Sequence, residues 1–502
     1  MFRFRKTAPL VTVLLSGSLA FVGCEDFVER PPQDQIPEDD FFRTEADFDL
    51  AAAGLYTPLS NQAWLGQEGW KIIEIPSDNS TAGGTDPDII PIDNFVTTAE
   101  NQNIKPFWDI RYRAVNLANV LMEKSGEGEL DAAAAAPYIA EARFVRALAY
   151  FDLVRIFGAV PIVTERPVFG QDLLPARSPV DEVYDLIEAD LLAAAADLPL
   201  TRGQSEAGRA TSGAAKSLHA KVALTRDNFR LAYDLAAEVI ASGVYDLVED
   251  FGDLWVLETS DDNSEIILQA QHFGCGPFGT GNQMQAFYAP FGEGITLLTD
   301  GWGTHAPTSA GNAVSGTALF EEFSDDDLRR RWTFFLPGEC YPEVNPQLGG
   351  YCYPESPDSR AGTAIKKYVV GGGDDVCFMS TPQNANILRY ADVLLMLGEA
   401  AVGLGNGNSV NPLALESVNR VRERAGLEPL PFLNTENVLL ERRLELAFEH
   451  QRWFDLLRLD PDRVVELLRL SGAQIPGPER LLFPLPAAEL AINPNLTQNP
   501  GY

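Results

Sequence analysis

The chain has 502 residues, 45 % hydrophobic and 22 % charged, which supplies material for a large core or two domains and is the wrong composition for a disordered chain. Its 72 acidic against 38 basic residues give a net charge of −34, a field that repels phosphate backbones and anionic headgroups, so nucleic acid is excluded as an expected partner. The same acidic surface suits a salty habitat, so the charge alone names no ligand.

In chain order, residues 1–23 carry Arg3, Arg5 and Lys6 and then an apolar run from Ala8 to Val22, the pattern of a secretory signal and too short for a spanning helix. Gly23 followed by Cys24 resembles a bacterial lipobox, in which the Cys thiol is acylated and becomes the first mature residue. Residues 24–38 are acidic and proline-rich, the composition of an extended, solvated tether. With Cys24 lipidated, Cys275, Cys340, Cys352 and Cys377 remain, and an even number in an exported chain permits two disulfides in three connectivities. Cys340 and Cys352 bracket a Pro/Gly/Tyr-rich loop that a bridge would close, leaving Cys275 with Cys377.

Apolar residues recur at helical spacing over 48–59, 107–124 and 137–157, where Ile139, Ala142, Phe144, Val145, Leu148, Phe151 and Leu153 share one wide face. A second group covers 180–198, 213–226 and 229–242, its alanines small enough for close antiparallel packing. A third runs over 387–404, 412–425 with Gly426 as stop, and 435–458. The recurring unit is a helical hairpin, as in tetratricopeptide stacking, though without a strict 34-residue repeat. The fold expected is mostly α: a right-handed scaffold of tetratricopeptide-like helix pairs over approximately 39–60, 105–243 and 387–459 within one domain, 39–502, ending in a tail over 475–502. Between these lie two long irregular intervals, approximately 60–105 and 245–386, rich in Gly, Pro, Asn and aromatics with short strand-like runs such as Glu265–Phe273. Loops of that length in a compact domain are where function is sought first.

Motifs of enzymatic chemistry are missing: no HExxH, no GxSxG, no P-loop, and only four histidines, at 219, 272, 305 and 450. Gly274, Gly276 and Gly279 satisfy GxGxxG, but Pro277 and two further glycines argue against a helix opening there. Acidic clusters at 260–263, 324–327 and 373–375 offer oxygen ligands for Ca²⁺ without EF-hand spacing, so no cofactor is expected. A carboxylate pair for glycoside hydrolysis is defined in space, and nothing in the sequence nominates one.

The most charged stretch is "ERRLELAFEHQRWFDLLRL", Glu441 to Leu459, with apolar stripes on both sides of a helix that also carries Glu441, Glu445 and Arg452 close together. Carboxylates four apart on a packed helix repel unless guanidinium groups sit among them. Arg442, Arg443 and Arg452, or Arg420, Arg422 and Arg424 of the preceding helix, are the expected partners in a structural ion-pair network.

These residues carry a resemblance. The segments 387–406, 414–427, 441–459 and 481–502 resemble the RagB/SusD family in order and spacing, and the helix over 140–161, the run 265–273 and the lipobox with its tether fit it too. His450 stands where that family usually has Gly, and Gly398 replaces a common Ala. The resemblance implies a surface-exposed, lipid-anchored outer-membrane protein without catalytic activity. Its implied partners are a SusC-like TonB-dependent transporter and an oligosaccharide, or in some members a peptide. A surface glycoside hydrolase and a purely structural helical adaptor are the alternatives. Sugar rings stack on aromatics while amides and carboxylates meet their hydroxyls. By position in the loops, Trp64, Trp70, Asp78, Asn79, Tyr288 and Trp302 are the expected ligand contacts, with 74–84 and 294–304 the best-placed segments. Trp108 and Trp453, on helices, are expected in the core.

Overall fold

The computed structural model describes residues 41–502 apart from 67, 83–86, 167–173, 262, 275–280, 290–304, 308–318, 357–363 and 373–379. The signal-like segment, Cys24 and its tether, Cys275, Cys377, the last two glycines of GxGxxG, the acidic cluster at 373–375 and Trp302 lie outside the described residues. No helix among the described residues is long and apolar enough to cross a membrane.

The scaffold is a stack of helices. They are α1 Glu45–Gly54, α2 Ile104–Gly126, α3 Ala132–Phe157, α4 Val180–Asp197, α5 Ser212–Thr225 and α6 Phe229–Ala241; after the long interval follow α7 Tyr390–Leu404, α8 Pro412–Arg424, α9 Thr435–Glu445, α10 Arg452–Leu457 and α11 Pro461–Leu470. From α2 to α8 each packs on the next, α6 against α7 included, so the interval is an excursion from one continuous scaffold. Side-chain caps start several of them: Asp131 before α3, Thr211 before α5, Asn411 before α8 and Asn434, in a capping box, before α9. Close packing rests on small side chains, and Ala140, Ala142, Ala147 and Ala149 of α3 and Ala214, Ala215, Ala220 and Ala223 of α5 are all buried. At Gly398 on α7 a Cβ would stand 2.5 Å from Val418 Cγ2 of α8, so glycine lets these two helices meet. Trp108 and Trp453 are core residues.

Several elements differ from those expected, beginning with the helix expected over 48–59, which spans Glu45–Gly54. Helix α3 begins five residues before Pro137: Asp131 Oδ1 accepts from the amides of Ala133 and Ala134, at 3.0 and 2.9 Å, and the strongly helix-forming alanines carry the helix through the proline. Ile387 to Arg389 are strand, not the start of a helix. The helix expected over 435–458 is broken between α9 and α10, where Phe448 (φ 60°) and His450 (φ 62°) take left-handed backbone. That conformation favours glycine, yet Phe448 and His450 adopt it here.

The strands form two-stranded antiparallel ribbons. β1 Ser80–Ala82 pairs with β3 His305–Pro307; β2 Ile266–Ala270, foreseen as strand-like, pairs with β8 Ala385–Arg389. β4 Phe334–Phe335 pairs with β7 Ala364–Ile365, and β5 Cys340–Tyr341 with β6 Tyr351–Cys352, where the foreseen Cys340–Cys352 disulfide closes the hairpin.

Candidate functional site

Charges of the signature stretch are gathered inside the protein. Glu441 accepts from Arg329 and Arg422, each at 2.7 Å; Glu445 accepts from Arg329 at 3.1 Å, Arg389 at 3.0 Å and Arg424; Glu449 meets Arg389 at 2.7 Å and Lys367 at 2.9 Å. Glu265, leading into β2, binds Arg389 and Arg424. Burial alone would raise the Glu445 carboxyl, but Arg424, Arg389 and Arg329 outweigh it and hold it well below the usual carboxylate range. Arg442 pairs with Asp455 at 2.9 Å and Asp392 at 2.8 Å, joining α9 to α10 and α7. The structural network was foreseen, with two differences. Arg420 reaches away to Asp246, and Arg329, Arg389 and Lys367, distant in sequence, supply much of the positive charge.

The break between α9 and α10 touches the first irregular interval. Arg452 binds Asp78 through two parallel hydrogen bonds, while Arg443 donates to Asn79 Oδ1 at 2.8 Å and to the Asp78 carbonyl at 2.9 Å. Burial pushes Asp78 up, yet Arg443 and Arg452 prevail and keep its carboxyl ionised, below the ordinary range. The His450 amide donates to Glu74 Oε2 at 3.1 Å, and burial pushes Glu74 up to about 8. Trp70 packs against Phe287 and Tyr288, whose hydroxyl donates to the Phe448 carbonyl at 3.3 Å. Trp64 lies under the Arg111 guanidinium, 4.5 Å from the ring centre.

Five of the six expected ligand contacts are therefore interior: Trp64, Trp70, Asn79 and Tyr288 are at most 1 % exposed and Asp78 is 5 % exposed. Their burial is the correction. Large rings anchor the loops to the scaffold and Asp78 and Asn79 fasten them, leaving no face for a sugar; Trp302 is outside the described residues.

What these anchors hold in place is a surface. The fastened segment runs directly into β1, and beside the β1–β3 ribbon lies a cleft of about 300 Å³ lined by Ser77, Ser80, Thr81, Asp93, Asn94 and Phe95, with Ser471 to Ala473 as its far wall. Thr81 Oγ1 donates to Asp93 Oδ2 at 2.9 Å, and burial raises the Asp93 carboxyl despite that bond. Hydroxyls, one side-chain amide and one carboxyl beside the apolar Ile75, Pro76 and Phe95 suit a neutral polyhydroxylated ligand. Of the segment 74–84, Ile75 to Ser77, Ser80 and Thr81 border this cleft, and none of them was singled out, nor were Asp93 and Asn94. Ser471 to Ala473, following α11, fell outside both irregular intervals and carried no signal.

No group of three or more His, Cys, Asp and Glu side chains among the described residues is placed to hold a metal ion. Asp327 of the second acidic cluster spends both oxygens on Arg329.

A stacked-helix scaffold that fastens irregular loops around a polar cleft defines a helical-repeat protein built to present a surface. Known proteins agree. Residues 281–502 match the model of the SusD family, and residues 26–224 match one described as starch-binding, associating with outer membrane. A SusD-like protein of Bacteroides ovatus is 30 % identical over 478 residues, 90 % of this chain and 83 % of that one. Among solved structures, one described as with xylogluco-oligosaccharide is 26 % identical with a TM-score of 0.77, covering 89 % of this chain and 97 % of that chain. A laminarin-binding SusD-like protein is 26 % identical with a TM-score of 0.75, covering 92 % of this chain and all of that one. The chain belongs to the SusD/RagB family.

Proposed function

We propose that this protein captures neutral oligosaccharides at the cleft beside the β1–β3 ribbon and passes them, without cleavage, to a SusC-like TonB-dependent transporter. In this reading residues 39–502 act as one domain held at the cell surface by lipid on Cys24, with no cofactor. The observation that carries it is the likeness, over about nine-tenths of the chain, to the xylogluco-oligosaccharide and laminarin-binding structures. The cleft chemistry supports it, and Trp302, three positions before β3, keeps its place as a stacking candidate. Glycoside hydrolysis calls for two carboxyl groups flanking the bond, and the described residues lining this cleft provide Asp93 alone.

Native electrophoresis of the mature protein through gels containing xyloglucan, laminarin or starch tests this. Retardation by at least one, with no new reducing ends, is expected. Retention by immobilised peptides alone would transfer the reading to a peptide ligand, and sugar release abolished by Asp93→Asn would make the protein a hydrolase.

A further inference from the structure

A larger cleft, about 490 Å³, opens between the α4–α5 connection and β2, and it shares no lining residue with the first. We propose that it is a second binding site for neutral oligosaccharide; this rests on the reading of the protein as a glycan-binding protein.

The volume lies within the roughly 300–1,000 Å³ range of small-molecule sites. Its walls are set by the protein itself. The turn over 203–209 is held by the Glu206 amide on the Gly203 carbonyl at 2.9 Å and the Arg209 amide on Glu206 at 3.1 Å. Gly208, at φ 81°, presses so close to Gln271 that a Cβ would stand 2.5 Å from its Cγ. The opposite wall is β2, held in place by its pairing with β8, so the cleft is formed before any ligand arrives.

Its charges select against anions. Arg202 and Arg209 both line it, yet both are spent: Glu141 takes Arg202 at 2.8 Å and Arg209 at 2.6 Å, and Glu206 takes Arg202 at 2.7 Å and Arg209 at 3.4 Å. With Asp261 also in the lining, the site presents no net positive charge to a phosphate, sulfate or carboxylate. What remains is neutral and polar. The side chains of Thr201, Gln204 and Ser264 make no hydrogen bond among the described residues and line the cleft with the Gln271 amide. Apolar contact comes from Leu200, 57 % exposed, and the ring of Tyr245, whose hydroxyl is fixed on Thr211 at 2.7 Å. Hydroxyl-bonding amides beside a small apolar surface match the two kinds of face a sugar ring presents.

Calorimetric titration of the mature protein with xylogluco-, laminari- and malto-oligosaccharides tests the proposal on four proteins: wild type, Thr81→Ala/Asp93→Ala, Gln204→Ala/Gln271→Ala, and the combination. For a sugar that binds wild type, the expected result is residual binding in the first variant, abolished in the combination, with a lower stoichiometry in the second. Circular dichroism and melting temperature confirm that each variant is folded. Complete loss of binding in Thr81→Ala/Asp93→Ala alone, or residual binding untouched by Gln204→Ala/Gln271→Ala, overturns the second site and leaves the first reading standing. Binding of none of these sugars by folded wild type overturns both.

Discussion

Arg452 grips Asp78 in a bidentate pair, Nε to Oδ1 at 2.7 Å and Nη2 to Oδ2 at 2.8 Å, across 374 positions of sequence. The pair ties the break between α9 and α10 to the loop that enters β1. The charged stretch near the C-terminus thus positions the loop face that meets solvent, while its own side chains stay inside. Removing one partner strands the other's charge in the interior, so Arg452→Ala should cost about 3–5 kcal/mol in urea unfolding. Arg452→Met/Asp78→Leu should cost less than the sum of the single variants. Additive losses would show that the two residues do not act as a pair.

Glu74 makes stability fall as pH rises from about 4.5 to about 8. Its folded pKa, about 8, lies above its unfolded value near 4.5, so the folded state holds a proton that the unfolded state has released between those values. The stabilisation is complete below about pH 4.5 and is lost as pH rises through 8, amounting to a few kcal/mol. Glu74→Gln keeps an oxygen for the His450 amide and has no proton to lose. Melting curves of this variant should converge with wild type in mild acid and lie higher at pH 9; parallel pH profiles would contradict the assignment.

Gly398 is a packing requirement of α7 on α8. Ala is the better helix former by roughly 1 kcal/mol, but its Cβ would collide with Val418. Gly398→Ala should therefore destabilise by about 1–3 kcal/mol, and Gly398→Ala/Val418→Ala should recover part of that. A single variant that melts above wild type would refute the close approach.

How far the sequence could be read follows from what carries a period. Helices such as α4 and α8 were legible almost to the residue because apolar spacing delimits both and Asn411 and Gly426 mark the ends of α8. The break after α9 was hidden: the helical period runs on through "AFEHQ", while the left-handed turns at Phe448 and His450 fit contacts with Glu74 and Tyr288 from distant segments. Arg329 and Arg389 were missed for the same reason, since an ion pair across more than fifty positions leaves no spacing to detect. In the loops the direction of the side chains was not legible. A large ring in a long loop serves as an anchor as readily as a platform, and Trp70 and Tyr288 are anchors.

The proposed function requires that a neutral oligosaccharide be held, uncleaved, at the ribbon cleft. Titrating the best-retained oligosaccharide into wild type and into Thr81→Ala/Asp93→Ala, and recovering the sugar afterwards, tests it most directly. Binding at that site is expected to be at least about tenfold weaker in the variant, roughly 1.4 kcal/mol, with an unchanged melting temperature and intact sugar. Identical isotherms for the two proteins, or shortened sugar recovered from wild type, would contradict it.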